Sequence, residues 1–347
     1  MKIALVTDTH AGVRGDSDTF ADYQEKFWYE VFFPSLEEHG IKHIVHLGDI
    51  TDRRKWISYK TLDRFRGVID HMRHGYDLSV IIGNHDTYYK NTNRINSMDC
   101  LFDSDIDIYH EATEVSFGGL DILFVPWINA GNHEDTMKKI KNSTSTVCMA
   151  HLNLAGFPMA RGLLNTEGMD RKVFRQFDMV FSGHFHTRSH MDNIWYLGSP
   201  YEQTWIDYGD KRGFHLFDTE TLDLEFIQNP HKMFEKIYFD EEKSDEYIDG
   251  NTDFGQYKNK AIKLITNNIP DQYMYEKFIE ELEAQEPWHL QIIDNTEASN
   301  GSGIEVDHIE SKGTIEILNE YIEQTEYDNK ESVRELVKSL HDEAISI

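Results

Sequence analysis

Only two cysteines, Cys100 and Cys148, occur in 347 residues. A framework of several disulfides is excluded, and both thiols stand in apolar contexts that suit buried, reduced side chains. Long hydrophobic runs are missing as well. None approaches the ~20 residues that span a bilayer, and the run from Ile3 to Val6 is too short for a signal peptide before Asp8. The expectation is a cytoplasmic protein. Basic charge is also scarce: 34 Lys+Arg face 62 Asp+Glu, a formal net charge of −28. Such a chain grips nucleic acid weakly by itself, because that affinity comes from clustered cations. The deficit is uneven. Residues 1–230 carry 23 Lys+Arg against 34 Asp+Glu, a net of −11, whereas residues 231–347 carry 11 against 28, a net of −17.

What is present is a series of five short apolar runs, each followed by a polar cluster. They are Ile3–Thr7 before Asp8, His43–Leu47 before Gly48-Asp49, Leu78–Ile82 before Gly83-Asn84-His85-Asp86, Thr146–Ala150 before His151, and Asp178–Ser182 before Gly183-His184-Phe185-His186. Leu62, Phe65, Ile69 and Met72 recur at helical spacing between the second and third runs. Asp22 to Glu38 also reads as helical, with a kink at Pro34 and a stop at Gly40. Strand–helix alternation of this kind predicts an α/β fold with buried strands. Hairpins are expected over Val115–Phe117 with Asp121–Val125, and over Gly213–Phe217 with Asp223–Ile227. The whole reads as two packed sheets flanked by helices.

Beyond Pro230 the composition shifts. Phe234–Phe239, Lys260–Thr266 and Trp288–Ile293 read as strands and Gln272–Ala284 as a helix, a small α/β module without metal-type residues. Asp294 to Gly303 is polar and acidic, as a linker would be. The tail carries Ile315, Leu318 and Ile322, then Val333, Leu336, Val337 and Leu340, at the spacing of two amphipathic helices. The predicted domains are therefore 1–229, a capping module 230–293, a linker 294–310 and a helical tail 311–347.

The strand-end clusters supply Asp8, His10, Asp49, Asn84, His151, His184 and His186. Carboxylates, an amide and imidazoles together suit Mn²⁺, Fe²⁺ or Zn²⁺. Seven donors are too many for one ion and suit two. Asp49 is the natural shared carboxylate, holding a pair of ions roughly 3.5–4 Å apart. Taken singly these residues mean little, since only five of the 18 histidines lie in the clusters and Gly-Asp is ordinary turn chemistry. The ordered set carries the argument.

That ordered set resembles the calcineurin-like metallophosphoesterase superfamily over roughly Met1 to Ile227. The resemblance implies a two-sheet sandwich. It also implies one metal on Asp8, His10, Asp49 and His186 and a second on Asp49, Asn84, His151 and His184. His85 would then stand beside the scissile phosphate as proton donor, with Asp86 either orienting it or serving the turn. Gly48-Asp49-Ile50-Thr51-Asp52, Tyr196-Leu197-Gly198-Ser199-Pro200-Tyr201 and Lys211-Arg212-Gly213-Phe214 are similar to the SbcD-type DNA nucleases, including the T-even phage recombination endonucleases. Thr51 departs from the large apolar residue usual there.

From that branch follow further expectations. They are a Mn²⁺-dependent exonuclease and endonuclease for DNA recombination and repair, in host cytoplasm if phage-encoded, and an SMC-like ABC ATPase partner bound by the tail helices. A homodimer through Tyr59–His74 within a heterotetramer is also implied. A partner that delivers DNA would account for the acidity, with Arg53, Arg54 and Lys55 as the best local phosphate contacts. The rival readings are a phosphoprotein phosphatase or small phosphodiesterase with the same ligands, or a non-catalytic adaptor; the intact ligand set with His85 argues against the last.

Overall fold

The computed structural model describes residues 1–102, 106–160, 162–239, 253–266 and 271–294, and beyond them residues 322, 330, 333, 334, 336 and 337. The chain divides into two units, Met1–Asp294 and Asn295–Ile347. In the first, the chain lays down β1 (Lys2–Val6), β2 (His43–His46), β3 (Asp77–Ile81) and β4 (Asp107–Tyr109), then the hairpin β5 (Thr113–Phe117) and β6 (Leu120–Val125). Next come β7 (Val147–His151), the small ribbon β8 (Pro158–Ala160) and β9 (Leu163–Leu164), then β10 (Met179–Gly183), β11 (Ser189–Met191) and β12 (Ile194–Tyr196). A second hairpin, β13 (Gly213–Asp218) and β14 (Leu224–Gln228), precedes β15 (Phe234–Phe239), β16 (Ala261–Thr266) and β17 (His289–Asp294).

Two six-stranded sheets result, ordered β14-β13-β1-β2-β3-β4 and β11-β12-β10-β7-β6-β5. The central strands β1 to β4, and β6, β7, β10 and β12, are parallel; the hairpins close the sheets with antiparallel edges. Alternation along each strand builds the layers. Ile3, Leu5, Val45, Leu47 and Ile81 of one sheet meet Ile122, Phe124, Val147, Met149 and Phe181 of the other. The intervening Ala4, Val6, Ile44 and Val80 turn outward to helices, where they meet Phe27, Phe32, Phe65 and Ile69. Strands buried on both faces explain why these runs are continuously apolar rather than alternating.

The helix Tyr59–Gly75 starts at Ser58, whose hydroxyl accepts from the Thr61 N–H at 3.2 Å. It buries Thr61, Phe65, Val68, Ile69 and Met72, so Leu62 stands at the margin of the apolar face rather than in it. The expected Asp22–Glu38 helix begins earlier, at Asp18, and its irregularity precedes Pro34. Phe27–Phe32 form a π-helical stretch that ends with Phe33 N–H bonded to Trp28 O. Pro34 then falls in the first turn of the helix Phe33–Glu38, directly after that stretch. Gly40, with φ of 64°, ends that helix as expected. Its N–H meets Glu37 O at 3.1 Å and Ile41 N–H meets Leu36 O at 2.9 Å, satisfying the terminal carbonyls.

Both cysteines are free, but only Cys148 is buried. The expectation for Cys100 is corrected: the short helix Ser97–Leu101 buries Met98, and a residue two positions on faces away from that side. A third sheet, β15-β16-β17, is wholly parallel and packs the helix Gln272–Glu283 through Phe239, Ile262, Leu264, Phe278 and Leu282. In the second unit Ile322, Val333, Leu336 and Val337 are helical, whereas Ile315, Leu318 and Leu340 lie outside the described residues. So does the expected linker beyond Asp294, which is itself the last residue of β17. Among the described residues no helix is long and apolar enough to cross a membrane.

Candidate metal centre

Every cluster singled out in the sequence leaves the carboxyl end of a parallel strand, the place where α/β sheets expose their loops. Asp8 and His10 follow β1, Asp49 follows β2, Asn84 and His85 follow β3, His151 ends β7, and His184 and His186 follow β10. The loops turn sharply: Asp8, His10, Asp49 and His184 all have positive φ, at 54°, 42°, 55° and 91°. For residues with a Cβ that conformation is strained, and it persists only where surrounding bonds hold it. Gly48, at φ of 97°, lets the strands close on one another. A Cβ there would stand 2.6 Å from His151 Nδ1.

Bonds across the two sheets assemble the cluster. His151 Nδ1 meets Leu47 O at 2.7 Å, and the His184 N–H donates to both Asp8 carboxylate oxygens at 3.0 and 3.1 Å. Asp49 Oδ2 lies 3.3 Å from His151 Nε2 and 3.8 Å from His10 Nε2. Asn84 Oδ1 lies 3.1 Å from His151 Nε2. Two triads have ligand atoms all within 4.8 Å of one another, Asp8–His10–His186 and Asp49–His151–His184; His85 joins His10 and Asp49 in a third.

The donors fit divalent ions. His10 and His186 face each other through Nε2 atoms 3.1 Å apart, a contact that needs a proton or a cation between two lone pairs. His10 Nδ1 is buried without a hydrogen-bond partner, with Asp52 Oδ1 3.7 Å away. Burial, reinforced by His186, holds the His10 ring neutral well below its usual range. Burial likewise lowers His184 to about 3, helped by His151. Neutral imidazole is the form that ligates metal. Burial resists ionisation of Asp49, yet the charge and hydrogen bond of His151 keep it well below the ordinary carboxylate range. His151 is pushed up to about 9: burial opposes its charge and Asp49 outweighs it. Burial raises Asp8 above its usual value, opposed by His151 and His186.

Asp86 does not reach His85. Its buried carboxylate instead accepts from the backbone N–H groups of Asp49, Ile50, Thr51 and Gly83 at 2.8 to 3.1 Å, so it clamps the Asp49 loop. Its hydrogen bonds therefore run to the turn at Gly83 and to the Asp49 loop. Thr51 adds its hydroxyl to the same carboxylate at 3.4 Å. The His85 ring is held by Asp52, whose carbonyl oxygen lies 2.6 Å from Nδ1.

Other supports were invisible in the sequence. Gln203 Nε2 donates to Asp8 O at 2.7 Å, and Gln24 Nε2 donates to Thr9 O at 3.2 Å. Arg212 donates to His186 O and pairs with Asp207 at 2.8 Å. Trp127 packs 5.0 Å from the His184 ring. Only Arg212 had a signal, as part of Lys211-Arg212-Gly213-Phe214. The expected phosphate contacts are placed unevenly. Arg53 is tied to Asp16 at 2.7 Å and stacks over Trp56 at 4.1 Å, Arg54 is half-buried with Nη1 unpartnered, and Lys55 is exposed.

A sandwich of two mixed sheets with imidazoles and carboxylates at the strand ends defines a metallophosphoesterase. The chain belongs to the calcineurin-like phosphoesterase family, whose model matches residues 1–188, and it is a metal-dependent hydrolase of phosphoester bonds. Among individual proteins it is similar to exonuclease subunit 1 of Enterobacteria phage T4, with 30% identity over 328 residues, 93% of this chain and 92% of that one. Solved structures to which the chain is similar include an archaeal phosphodiesterase, 13% identical at a TM-score of 0.34, covering 66% of this chain and 100% of that one. A purple acid phosphatase from yellow lupin seeds is 12% identical at a TM-score of 0.39, covering 65% and 52%.

Proposed function

We propose that this chain is a two-metal nuclease that hydrolyses phosphodiester bonds of DNA in end processing, recombination and repair. The observation that carries the reading is the position of Asp49, whose Oδ2 lies within 3.8 Å of His10 and 3.3 Å of His151 and so belongs to both histidine sets. Asp8, His10, Asp49 and His186 would hold one ion, and Asp49, Asn84, His151 and His184 the other. Mn²⁺ suits this mixture of hard oxygens and imidazoles. The chemistry supplied by such a pair is neutralisation of charge on the phosphate oxygens and acidification of an attacking water.

The chain's own residues do the rest. Through Nδ1 the His85 ring donates to Asp52 O, which leaves Nε2 to meet the substrate; as an imidazolium the ring gives its Nε2 proton to the leaving oxygen and becomes neutral. Half-exposed, it can meet a substrate, whereas Asp86 is fully buried and acts through the Asp49 loop. Residues 1–229 would carry the reaction, with 230–293 as a cap, 294–310 as a linker and 311–347 as a tail that binds an SMC-like ABC ATPase. The T4 relative is an exonuclease subunit, which supports both nucleic acid as substrate and a partner. A homodimer through the helix that begins at Tyr59, whose side chain is almost wholly exposed, would complete a heterotetramer.

Cleavage of end-labelled duplex DNA in Mn²⁺, with His85→Ala alongside, tests the reading. Metal-dependent digestion that the variant loses is the expected result. Intact DNA together with rapid hydrolysis of a phosphopeptide would overturn it in favour of a phosphatase.

A further inference from the structure

Immediately after His85 the chain enters a loop, Thr87 to Asn96, whose composition breaks with the rest of the protein. In a chain of net charge −28, no acidic residue occurs from Thr87 to Met98, while Tyr88, Tyr89, Lys90 and Arg94 do. Tyr88 and Tyr89 are 41% and 50% exposed and meet edge to face with ring centroids 4.7 Å apart. Lys90 and Arg94 are exposed, with no ion pair among the described residues. Isolated surface tyrosines need no explanation, but an adjacent pair followed in the same loop by two exposed cations, with no ion pair among the described residues, forms a local surface opposite in character to the acidic chain around it.

The loop is also fastened. Ser97 N–H bonds to Asp86 O at 2.8 Å, Thr87 bridges Asn96, and Tyr88 N–H bonds to Ile95 O at 2.9 Å. Inside it, buried Asn93 donates to Trp127 O at 2.8 Å and His110 O at 3.2 Å, and accepts from Asn129 at 2.8 Å. Trp127 in turn packs on His184, and Thr87 Oγ1 donates to Asn84 O at 3.2 Å. The aromatic pair is therefore built onto the backbone that carries Asn84, His85 and the packing of His184.

Resting on the nuclease reading above, we propose that Tyr88 and Tyr89 form a stacking platform for unpaired nucleobases beside the scissile phosphate, with Lys90 and Arg94 holding the neighbouring backbone. Stacking rings flanked by cations are the surface that single-stranded nucleic acid needs, since every base offers a π-face. A protein partner would demand more aliphatic area, and Ile95 is the only exposed aliphatic side chain in the loop. An unpaired base at a strand end is the occupant that fits: two rings accommodate one or two bases, not a duplex.

The test uses the full chain, an oligonucleotide with a single-stranded end, and the same strand made abasic near that end. Tyr88→Leu/Tyr89→Leu should lower kcat/KM on the base-bearing strand about tenfold or more, and the preference over the abasic strand should vanish with it. Tyr88→Phe/Tyr89→Phe should keep both, because the rings remain. Fluorescence of 2-aminopurine at the strand end, read in Ca²⁺ without turnover, should be quenched by wild type and the Phe pair and not by the Leu pair. A Leu pair that keeps the rate and the preference, or a wild type that leaves 2-aminopurine unquenched, overturns the platform while the nuclease reading stands. A wild type that hydrolyses bis(4-nitrophenyl) phosphate but no DNA sinks the nuclease reading, and the platform falls with it.

Discussion

The strand ends around Asp49 and the small module from Phe234 to Asp294 bury different chemistry. The module's interior is Phe239, Phe254, Ile262, Leu264, Tyr275, Phe278 and Leu282 around one helix, held chiefly by burial, with a buried hydrogen bond from Thr266 Oγ1 to the Tyr275 hydroxyl at 3.2 Å. At the strand ends Asp8, Asp49, Asp86 and His151 are as deeply buried as any core residue. Charged groups persist there only because backbone N–H groups and opposite charges meet them. Loops in left-handed conformations add to that cost. Buried charge is concentrated at the strand ends, where the reaction is proposed to occur, and is absent from the module's apolar cluster.

Substitutions can break or sharpen this contrast. The largest effect is expected for Arg212→Ala, which takes the cation from buried Asp207, leaving it only the Gln203 and Thr204 N–H groups, and removes a donor from His186 O. A loss of about 4 kcal/mol in urea unfolding should accompany a fall in hydrolysis. Asp86→Ala strands the N–H groups of Asp49, Ile50, Thr51 and Gly83 and should cost about 3 kcal/mol. Metal content measured on the purified variant should drop with it, and Asp86→Asn, which keeps an acceptor, should recover part of both.

In the module the outcome should separate. Leu282→Ala opens a cavity worth roughly 2–3 kcal/mol, yet hydrolysis of a small phosphodiester should stay close to wild type. Equal loss of activity there would erase the contrast.

The smallest effect lies at the junction. Glu202 is buried and accepts from Met233 N–H and Phe234 N–H at 2.7 and 3.0 Å, joining the site half to β15. Burial raises its carboxyl above the ordinary value of 4.5, against those two donors. A folded-state value above the unfolded one means that stability is lost as pH rises through it. Compared by thermal unfolding across pH, Glu202→Gln should therefore gain on wild type as pH climbs above about 4.5 and then hold a constant difference. A difference independent of pH would show that Glu202 does not titrate on folding.

How much of this was readable beforehand varied by element. The runs ending at Val6, His46 and Ile81 announced buried parallel strands because both faces are covered and apolar residues are continuous. Strands of three residues, such as β4, β11 and β12, left no trace, since their length is below any period. Cys100 was misread because neighbouring apolar letters do not say which side of a short helix a residue takes.

The ordered polar clusters were likewise legible, as each loop's residue types follow directly along the chain from its strand. Their partnership was not. His10 and His186 meet at 3.1 Å across 176 residues, and His151 finds Leu47 O across 104. Asp86 was separated from its neighbour His85 and given to the Asp49 loop 36 residues away. Residue order and periodicity determined which elements form and which side chains they offer, because both are set by local backbone geometry. Which lone pairs face one another was decided only when two sheets packed, because hydrogen bonds and charges act through space, and buried ones must find partners wherever the chain has brought them.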